Sequence, residues 1–148
     1  MKIALVCEDG GHLTEMLCLL PAFNKHEIFF ISNDSLRTRF LHNKRYLMSP
    51  LKTNPIKMLY LMYVLRRIYL LEKVDLIVST GAEIAIPAFI VAKMLRIKTI
   101  FIESWCRIHH RSKTGRILYY FSNYFIVQWP QLLESYGNKA IYLGALIE

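Results

Sequence analysis

Residues 3–16 read IALVCEDGGHLTEM, a pattern typical of a strand, a tight turn and a helix. The apolar run at residues 3–7 predicts a buried strand, and the i, i+3, i+4, i+7 spacing that begins at Leu13 predicts a helix after it. Gly10 and Gly11 stand in the turn, where the missing Cβ permits unusual backbone conformations and close approach of a ligand. The free amides of the helix start favour anions. The imidazole of His12 therefore lies at the end of the predicted strand, where a ligand-binding or active site is expected.

The alternation of apolar runs with helical spacing continues along the chain. Buried strands are predicted at residues 3–7, 27–31, 75–79, 99–102, 125–127 and 140–143, and helical spacing at residues 13–20, 84–95 and 115–122. Strands that are apolar throughout and alternate with helices are typical of a parallel sheet covered on both faces. We expect an α/β, Rossmann-like doubly wound parallel sheet, as a single domain over residues 1–148.

Ligands of such sheets bind beyond the carboxyl ends of the strands. Three turns with polar or glycine residues follow predicted strands, at residues 10–12, 79–81 and 103–104. The sequence therefore predicts that these turns converge on one crevice.

Charge and cysteine content narrow the class of protein. Nineteen Lys and Arg against eleven Asp and Glu give a formal charge of +8, which favours an anionic partner such as nucleic acid, a phosphorylated substrate or acidic lipid. Nucleic acid is disfavoured because the sequence contains none of its recognition motifs. Three widely spaced cysteines and the lack of a visible signal peptide lead us to expect a cytoplasmic setting.

The segment at residues 56–71, IKMLYLMYVLRRIYLL, is strongly apolar yet too short and too charged to span a bilayer, which takes about 20 mostly apolar residues. One interpretation is an amphipathic helix in the membrane interface, with tyrosines at headgroup depth and basic side chains near lipid phosphates. These residues are Tyr60, Tyr63 and Tyr69, and Lys57, Arg66 and Arg67. The other is a crossover helix packed on the sheet, whose arginine stems extend to water. The two interpretations are compatible, because each can hold for a different face of the helix.

His12 is the first candidate for chemistry. A neutral imidazole accepts a proton from an attacking hydroxyl or bonds a phosphate oxygen, and Glu15, one turn along, would orient it or favour the helix start electrostatically. The alternative is a capping or solvent-facing histidine. A nicotinamide cofactor is disfavoured because residues 8–13 read EDGGHL, which lacks the Gly-x-Gly-x-x-Gly spacing, and because Glu8 and Asp9 repel a pyrophosphate.

Residues 107–116, RIHHRSKTGR, carry four fixed positive charges directly after a predicted strand end. Arginine forms forked contacts with phosphate oxygens, so this basic loop is a candidate diphosphate site; the alternative is a solvated loop. Adjacent histidines point apart, and no carboxylate or cysteine stands at chelating spacing, so we expect no metal. A second basic cluster has no strand-end motif beside it and is interpreted as solvated surface: Arg37, Arg39, His42, Lys44 and Arg45.

Several motifs together resemble one family. They are GGHLTEM at 10–16, STG at 79–81 with Pro87, ESWCR at 103–107, YFIVQWP at 124–130 and YLG at 142–144. This pattern, which covers nearly the whole chain, resembles the acceptor-side, membrane-associated subunit of split GT-B glycosyltransferases. The best-known member belongs to the two-part N-acetylglucosaminyltransferase of asparagine-linked glycosylation, and bacterial relatives serve capsular and exopolysaccharide synthesis.

The resemblance implies the N-terminal Rossmann half of a GT-B enzyme, inactive alone. A catalytic partner would supply the UDP-sugar-binding half of a heterodimer. The chain would lie peripherally on the cytoplasmic face of an anionic membrane, recruit that partner and bind a polyprenyl-diphosphate-linked saccharide, with no cofactor. The alternative is a purely structural membrane adaptor for the catalytic subunit.

The resemblance also implies roles for individual residues. His12 or Glu103 would stand nearest the acceptor hydroxyl as the catalytic group, and Glu15 would support the histidine. The implied acceptor-binding residues are Gly10, Gly11, Glu15, Thr80, Gly81, Arg107 and Arg111.

Overall fold

Seven parallel strands form one sheet in a computed structural model that describes residues 1–146. The strands are β1 Lys2–Val6, β2 Glu27–Asn33, β3 Arg45–Met48, β4 Leu76–Ser79, β5 Lys98–Ile102, β6 Tyr124–Val127 and β7 Ala140–Tyr142. Their order is β3-β2-β1-β4-β5-β6-β7. The chain therefore winds outward from β1 and then returns to its other side, which places a topological switch point between β1 and β4.

Helices connect the strands and cover both faces of the sheet. They are α1 Gly11–Cys18, α2 Leu36–Arg39, α3 Pro55–Glu72, α4 Ala85–Met94, α5 Lys113–Phe121 and α6 Gln131–Tyr136, with a 3-10 turn at Leu20–Phe23. Alternate residues of β1 enter different cores: Ala4 and Val6 pack with α3, α4 and α5, whereas Ile3 and Leu5 pack with α1. The predicted doubly wound fold is confirmed.

All six predicted strands are present, but β3 was not predicted. Residues 45–48 read RYLM, and all except the exposed Arg45 are half-buried. The strand pairs only with β2 at the edge of the sheet, where packing demands fewer apolar residues. A continuous apolar run, the signal that marks a central strand, is therefore missing here.

The structure assigns the inner face of residues 56–71 to the core. Helix α3 buries Leu61, Leu65 and Ile68 in the core beside α4, which confirms a crossover helix. Tyr69, expected at headgroup depth, is buried, and its hydroxyl donates to the carbonyl of Ala88 at 3.4 Å, so that expectation was wrong. The outer face of α3 is nevertheless apolar and exposed. Its large residues are Ile56, Leu59, Tyr60, Tyr63, Leu70 and Leu71. Within residues 1–146, no helix combines the length and apolarity that crossing a bilayer requires.

Candidate functional site

The candidate site is a crevice of about 870 Å³ beyond the carboxyl ends of β1, β4 and β5. Val6 of β1 lies in register with Ser79 of β4, so the turns that follow these strands are neighbours. The three turns predicted to converge do so. The predicted site residues that line the crevice are Gly11, His12, Gly81, Glu103, Arg107 and Arg111. Glu15 and Thr80 are fully buried behind its wall.

The imidazole of His12 is held by the turn after β4. Its Nδ1 lies 2.8 Å from the carbonyl oxygen of Thr80, and the Thr80 hydroxyl donates to the carbonyl of His12 at 2.7 Å. Because a carbonyl only accepts, Nδ1 carries the hydrogen, and in the neutral ring Nε2 keeps its lone pair. Thr80 therefore positions the histidine from below rather than binding a ligand itself.

Gly10 and Gly81 are needed for different reasons. Gly10 precedes α1 with a φ of 95°, a left-handed conformation that glycine adopts without strain. Gly81 has a φ of 121°, and a Cβ there would stand 2.8 Å from Cε1 of His12. Gly11 lines the crevice, and its Cβ position points into open space.

Glu15 makes its hydrogen bonds under the basic loop and not with His12. Its carboxylate accepts from the Ser104 hydroxyl at 2.8 Å, from Gln128 Nε2 at 2.7 Å and from the Trp105 amide at 3.4 Å. Burial raises its pKa above the ordinary value, and these hydrogen bonds oppose that shift. The predicted support of His12 is corrected: from its position on α1, Glu15 reaches the ends of β5 and β6, whereas His12 reaches the turn after β4.

Glu103 is buried as well, and four donors occupy its carboxylate. They are the amides of Ser104 and Ser112 at 3.0 and 3.2 Å, the Ser112 hydroxyl at 2.9 Å, and the hydroxyl of Tyr136. Ser112 is the N-cap of α5, so the negative charge faces a helix N-terminus. This geometry disfavours Glu103 as a group that accepts a proton.

Gln128, in the QWP motif after β6, is the central residue that the sequence did not identify as functional. Its Nε2 donates to Glu15 at 2.7 Å and to the carbonyl of Glu103 at 2.9 Å, and its Oε1 accepts from the Leu146 amide at 2.9 Å. Trp129 donates from Nε1 to the Trp105 carbonyl. The motifs at 103–107 and 128–130 therefore anchor the base of the basic loop. The available sequence signal was a glutamine directly after the apolar run of residues 125–127.

The basic loop forms one wall of the crevice. Arg107, Arg111, Lys113 and Arg116 line it together with His110. Within residues 1–146, none of these four fixed charges forms an ion pair with a carboxylate. The crevice therefore has an excess of positive charge, which suits an anionic ligand.

All five residues of the second basic cluster are exposed, as expected for solvated surface, but three of them pair with carboxylates and one contacts the glycine turn. Arg37 pairs with Asp9 at 3.2 Å, Arg39 binds Asp34 through two nitrogens, and Lys44 pairs with Glu72. Arg37 also donates to the Gly10 carbonyl at 3.1 Å. These cations balance nearby carboxylates, including that of Asp9 on the glycine turn.

This sheet, with its crevice at the switch point, defines a Rossmann-like half of the GT-B fold. MurG of Acinetobacter baumannii superimposes with a TM-score of 0.82 at 16% identity, over 98% of this chain and 45% of that protein. The UDP-GlcNAc 2-epimerase of Methanocaldococcus jannaschii gives 0.77 at 17% identity, over 98% and 46%. The chain thus spans less than half of these proteins, and at such identities the likeness shows the fold alone.

The sequence comparisons identify the family. The model described as "Oligosaccharide biosynthesis protein Alg14 like" matches residues 34–146, and the chain belongs to this family. Mouse "UDP-N-acetylglucosamine transferase subunit ALG14" is 26% identical over 99% of this chain and 83% of its own length. The human protein of the same name gives the same three values.

Proposed function

We propose that this chain is the acceptor-binding subunit of a two-component glycosyltransferase that transfers N-acetylglucosamine from UDP to a polyprenyl-diphosphate-linked saccharide. The crevice carries the proposal, because it brings His12 and the four cations of the basic loop to one opening. The names of the mouse and human relatives support the UDP-sugar and the status as a subunit.

His12 is the proposed general base. The acceptor hydroxyl oxygen bonds to C1 of the sugar, the bond from C1 to the diphosphate oxygen breaks, and UDP leaves with that electron pair. The hydroxyl proton passes to Nε2 of His12, whose orientation is fixed by the contact between Nδ1 and Thr80. Positioned proton transfer of this kind contributes about 10²- to 10⁴-fold to a rate.

The basic loop is the proposed site for the diphosphate of the acceptor. Arg107 and Arg111 line the same crevice as His12, and arginine offers paired donors that match phosphate oxygens. Lys113 and Arg116 add charge at the start of α5. The saccharide would then extend from the loop toward Nε2 of His12.

A catalytic partner is proposed to supply the UDP-sugar-binding half, so that the two polypeptides close over the crevice as a heterodimer. The basis is the word "subunit" in the relatives' names and the match to one half of MurG. The carboxylate of Glu103, which lines the crevice, and that of Glu15, behind its wall, are engaged by the chain's own donors. They would hold the basic loop in place while the partner binds the donor sugar.

The outer face of α3 is the proposed contact with the cytoplasmic face of the membrane. Exposed Leu59, Tyr60 and Tyr63 stand on the same helix as the exposed cations Arg66 and Arg67. Apolar and aromatic side chains beside basic ones are typical of peripheral contacts with anionic lipid. Such a contact would bring the crevice close to a lipid-linked acceptor.

The proposal is tested with the purified complex of this chain and its catalytic partner. Transfer from UDP-N-acetylglucosamine to a prenyl-diphosphate-linked saccharide is expected from the complex and from neither protein alone. The H12A complex, shown by gel filtration to assemble, should lose about 10²-fold or more in kcat. Transfer by the isolated chain would overturn the division of labour. Full activity of the H12A complex would favour the structural adaptor instead.

A further inference from the structure

A second cavity, of about 360 Å³, opens beside the crevice and is called the apolar pocket here. Three segments form its walls: residues 51–58 at the start of α3, residues 83–86 at the start of α4 and residues 113–117 of α5. Lys113 and Thr114 line both the apolar pocket and the crevice. The two cavities are therefore neighbours at the start of α5.

The lining of the apolar pocket suits a hydrocarbon. Leu51, Met58, Ile86 and Ile117 supply its apolar surface. The Asn54 side chain, which also lines it, accepts from the amides of residues 56 and 57 at 3.0 and 3.2 Å, because it caps α3.

The remaining polar residues of the lining lie at its edges, where Lys113 and Thr114 face the crevice. The hydroxyl of Thr53 donates to the carbonyl of Lys52 at 2.7 Å, and Glu83 is an exposed residue. The walls thus offer mainly carbon to an occupant, and burial of its hydrocarbon would be the driving force for binding.

The pocket also continues onto the outer face of α3. Ile117 on its wall is 41% exposed, and the first turns of α3 carry exposed Ile56 and Leu59 next to the lining residues Pro55 and Met58. An apolar strip therefore leads from the α3 surface through the pocket to the cations of the crevice. A molecule that is anionic at one end and hydrocarbon along the rest matches this sequence of surfaces.

We infer that the apolar pocket binds the first isoprene units of the acceptor's polyprenyl chain, next to the diphosphate in the crevice; this inference rests on the proposed function. The pocket then sets how far the diphosphate enters and selects acceptors with a prenyl chain over water-soluble diphosphates. Ile117 is its central contact, because it stands one turn beyond Lys113 and Thr114 on α5.

The test compares farnesyl diphosphate with inorganic diphosphate as probes, by calorimetric titration of the full chain. The wild-type protein is expected to bind farnesyl diphosphate at least about tenfold more tightly, because part of the farnesyl group leaves water. I117D should lose this preference, although the added negative charge beside Arg116 weakens the binding of both diphosphates. I141D is the matched control, since Ile141 is 40% exposed but lies on β7 at the far edge of the sheet; it should keep the preference.

Three outcomes overturn the inference, and they separate it from the proposed function. If the wild-type protein binds the two probes equally, the pocket does not bind a prenyl chain. If R107A/R111A at the same time no longer binds inorganic diphosphate, the diphosphate site stands. If I117D keeps the preference but no longer assembles with the catalytic partner, the pocket binds a side chain of that partner and not a prenyl chain. Failure of the wild-type protein to bind either probe removes the diphosphate site and the inference together.

Discussion

The imidazole of His12 packs against Gly81 so closely that a β-carbon at position 81 would stand 2.8 Å from Cε1 of the ring. The preceding residue, Thr80, accepts a hydrogen bond from Nδ1 of the same ring at 2.8 Å. Two consecutive residues of the turn after β4 therefore fix both the position and the tautomer of the histidine. The consequence is an Nε2 atom with a free lone pair on the wall of the crevice.

The first prediction concerns the contact between His12 and Gly81. G81A should lower kcat of the two-component enzyme by about 10- to 100-fold with a smaller change in KM, because the methyl group displaces the ring from its productive position. G144A is the matched control: Gly144 has a similar φ of 107°, yet its Cβ position has nothing within 4 Å. It carries comparable backbone strain and should retain activity. Equal activities of the two variants would contradict the positioning role.

The second prediction concerns Gln128, which joins Glu15 to the end of β5. Q128L should lower the free energy of unfolding by about 2–3 kcal/mol, because the buried carboxylate of Glu15 and the carbonyl of Glu103 are each deprived of a donor. Urea denaturation measures this decrease. The control is Q131A on the exposed start of α6, which should change stability by less than about 0.5 kcal/mol.

Hydrogen exchange gives a second measurement on the same variant. The amide of Trp105 donates to Glu15, and Trp129 binds the carbonyl of Trp105, so removal of the Gln128 amide should loosen this part of the basic loop. Faster exchange of residues 104–107 in Q128L, with unchanged exchange in β1, is expected. A uniform increase across the sheet would instead indicate general destabilisation.

The third prediction concerns acid stability. Hydrogen bonds from Lys2, Lys44 and Tyr46 lower the pKa of Glu72 from 4.5 to about 2. Its stabilising contribution is therefore complete above pH 4.5 and is lost as the pH falls toward 2. After allowance for screening by solvent, E72Q should cost about 1–2 kcal/mol at pH 7, and this cost should shrink between pH 4.5 and 2.

Urea denaturation of the wild-type protein and E72Q at several pH values measures this difference. E134Q is the control, because Glu134 is exposed on α6. Its difference from the wild-type protein should stay small across the range. A cost of E72Q that does not depend on pH would contradict the assignment to the charge of Glu72.

The sequence was informative where the signals are local. The run at residues 3–7 and the glycine turn predicted β1 and the start of α1 to within two residues, because strand burial and turn chemistry are encoded in neighbouring residues. The helix begins at Gly11 instead of Leu13, so His12 lies in its first turn. Strand β3 escaped prediction because an edge strand needs only one partially apolar face. Its pairing with β2 depends on residues far away in the chain.

The roles of the two glutamates could not be obtained from the sequence. Glu15 finds its donors about 90 and 113 residues along the chain, at Trp105 and Gln128, and those hydrogen bonds exist only once β5 and β6 lie side by side. Spacing on α1 alone placed Glu15 one turn from His12 and suggested a local partnership. A buried carboxylate must be hydrogen-bonded, and the donors that surround it in the folded chain can come from residues that are distant in sequence.

The fourth prediction concerns the outer face of α3. L59D/Y63D should reduce binding to vesicles containing anionic phospholipid by at least about tenfold, because two exposed apolar side chains are replaced by charges that the lipid repels. F40D is the control: Phe40 is 79% exposed but follows α2, away from α3. Vesicle sedimentation should show near wild-type binding for F40D. If F40D reduced vesicle binding as much as L59D/Y63D, any exposed apolar residue would contribute to membrane binding and α3 would have no special role.

The final prediction concerns the cations of the crevice. R107A and R111A should each raise KM for a prenyl-diphosphate-linked acceptor by about tenfold or more, because each removes charge-assisted hydrogen bonds to phosphate oxygens. KM for the UDP-sugar should change little, since that substrate is bound by the catalytic partner in the proposed enzyme. R39A is the matched control, because Arg39 is an exposed arginine already engaged by Asp34 at 2.6 Å. If R39A raised the acceptor KM as much as R111A, the effect would come from net charge and not from a diphosphate site.

Repeating the assay at higher salt separates these cases further. A general electrostatic attraction weakens with salt for every variant alike, whereas removal of a direct arginine–phosphate interaction in R111A leaves an acceptor KM that depends less on salt.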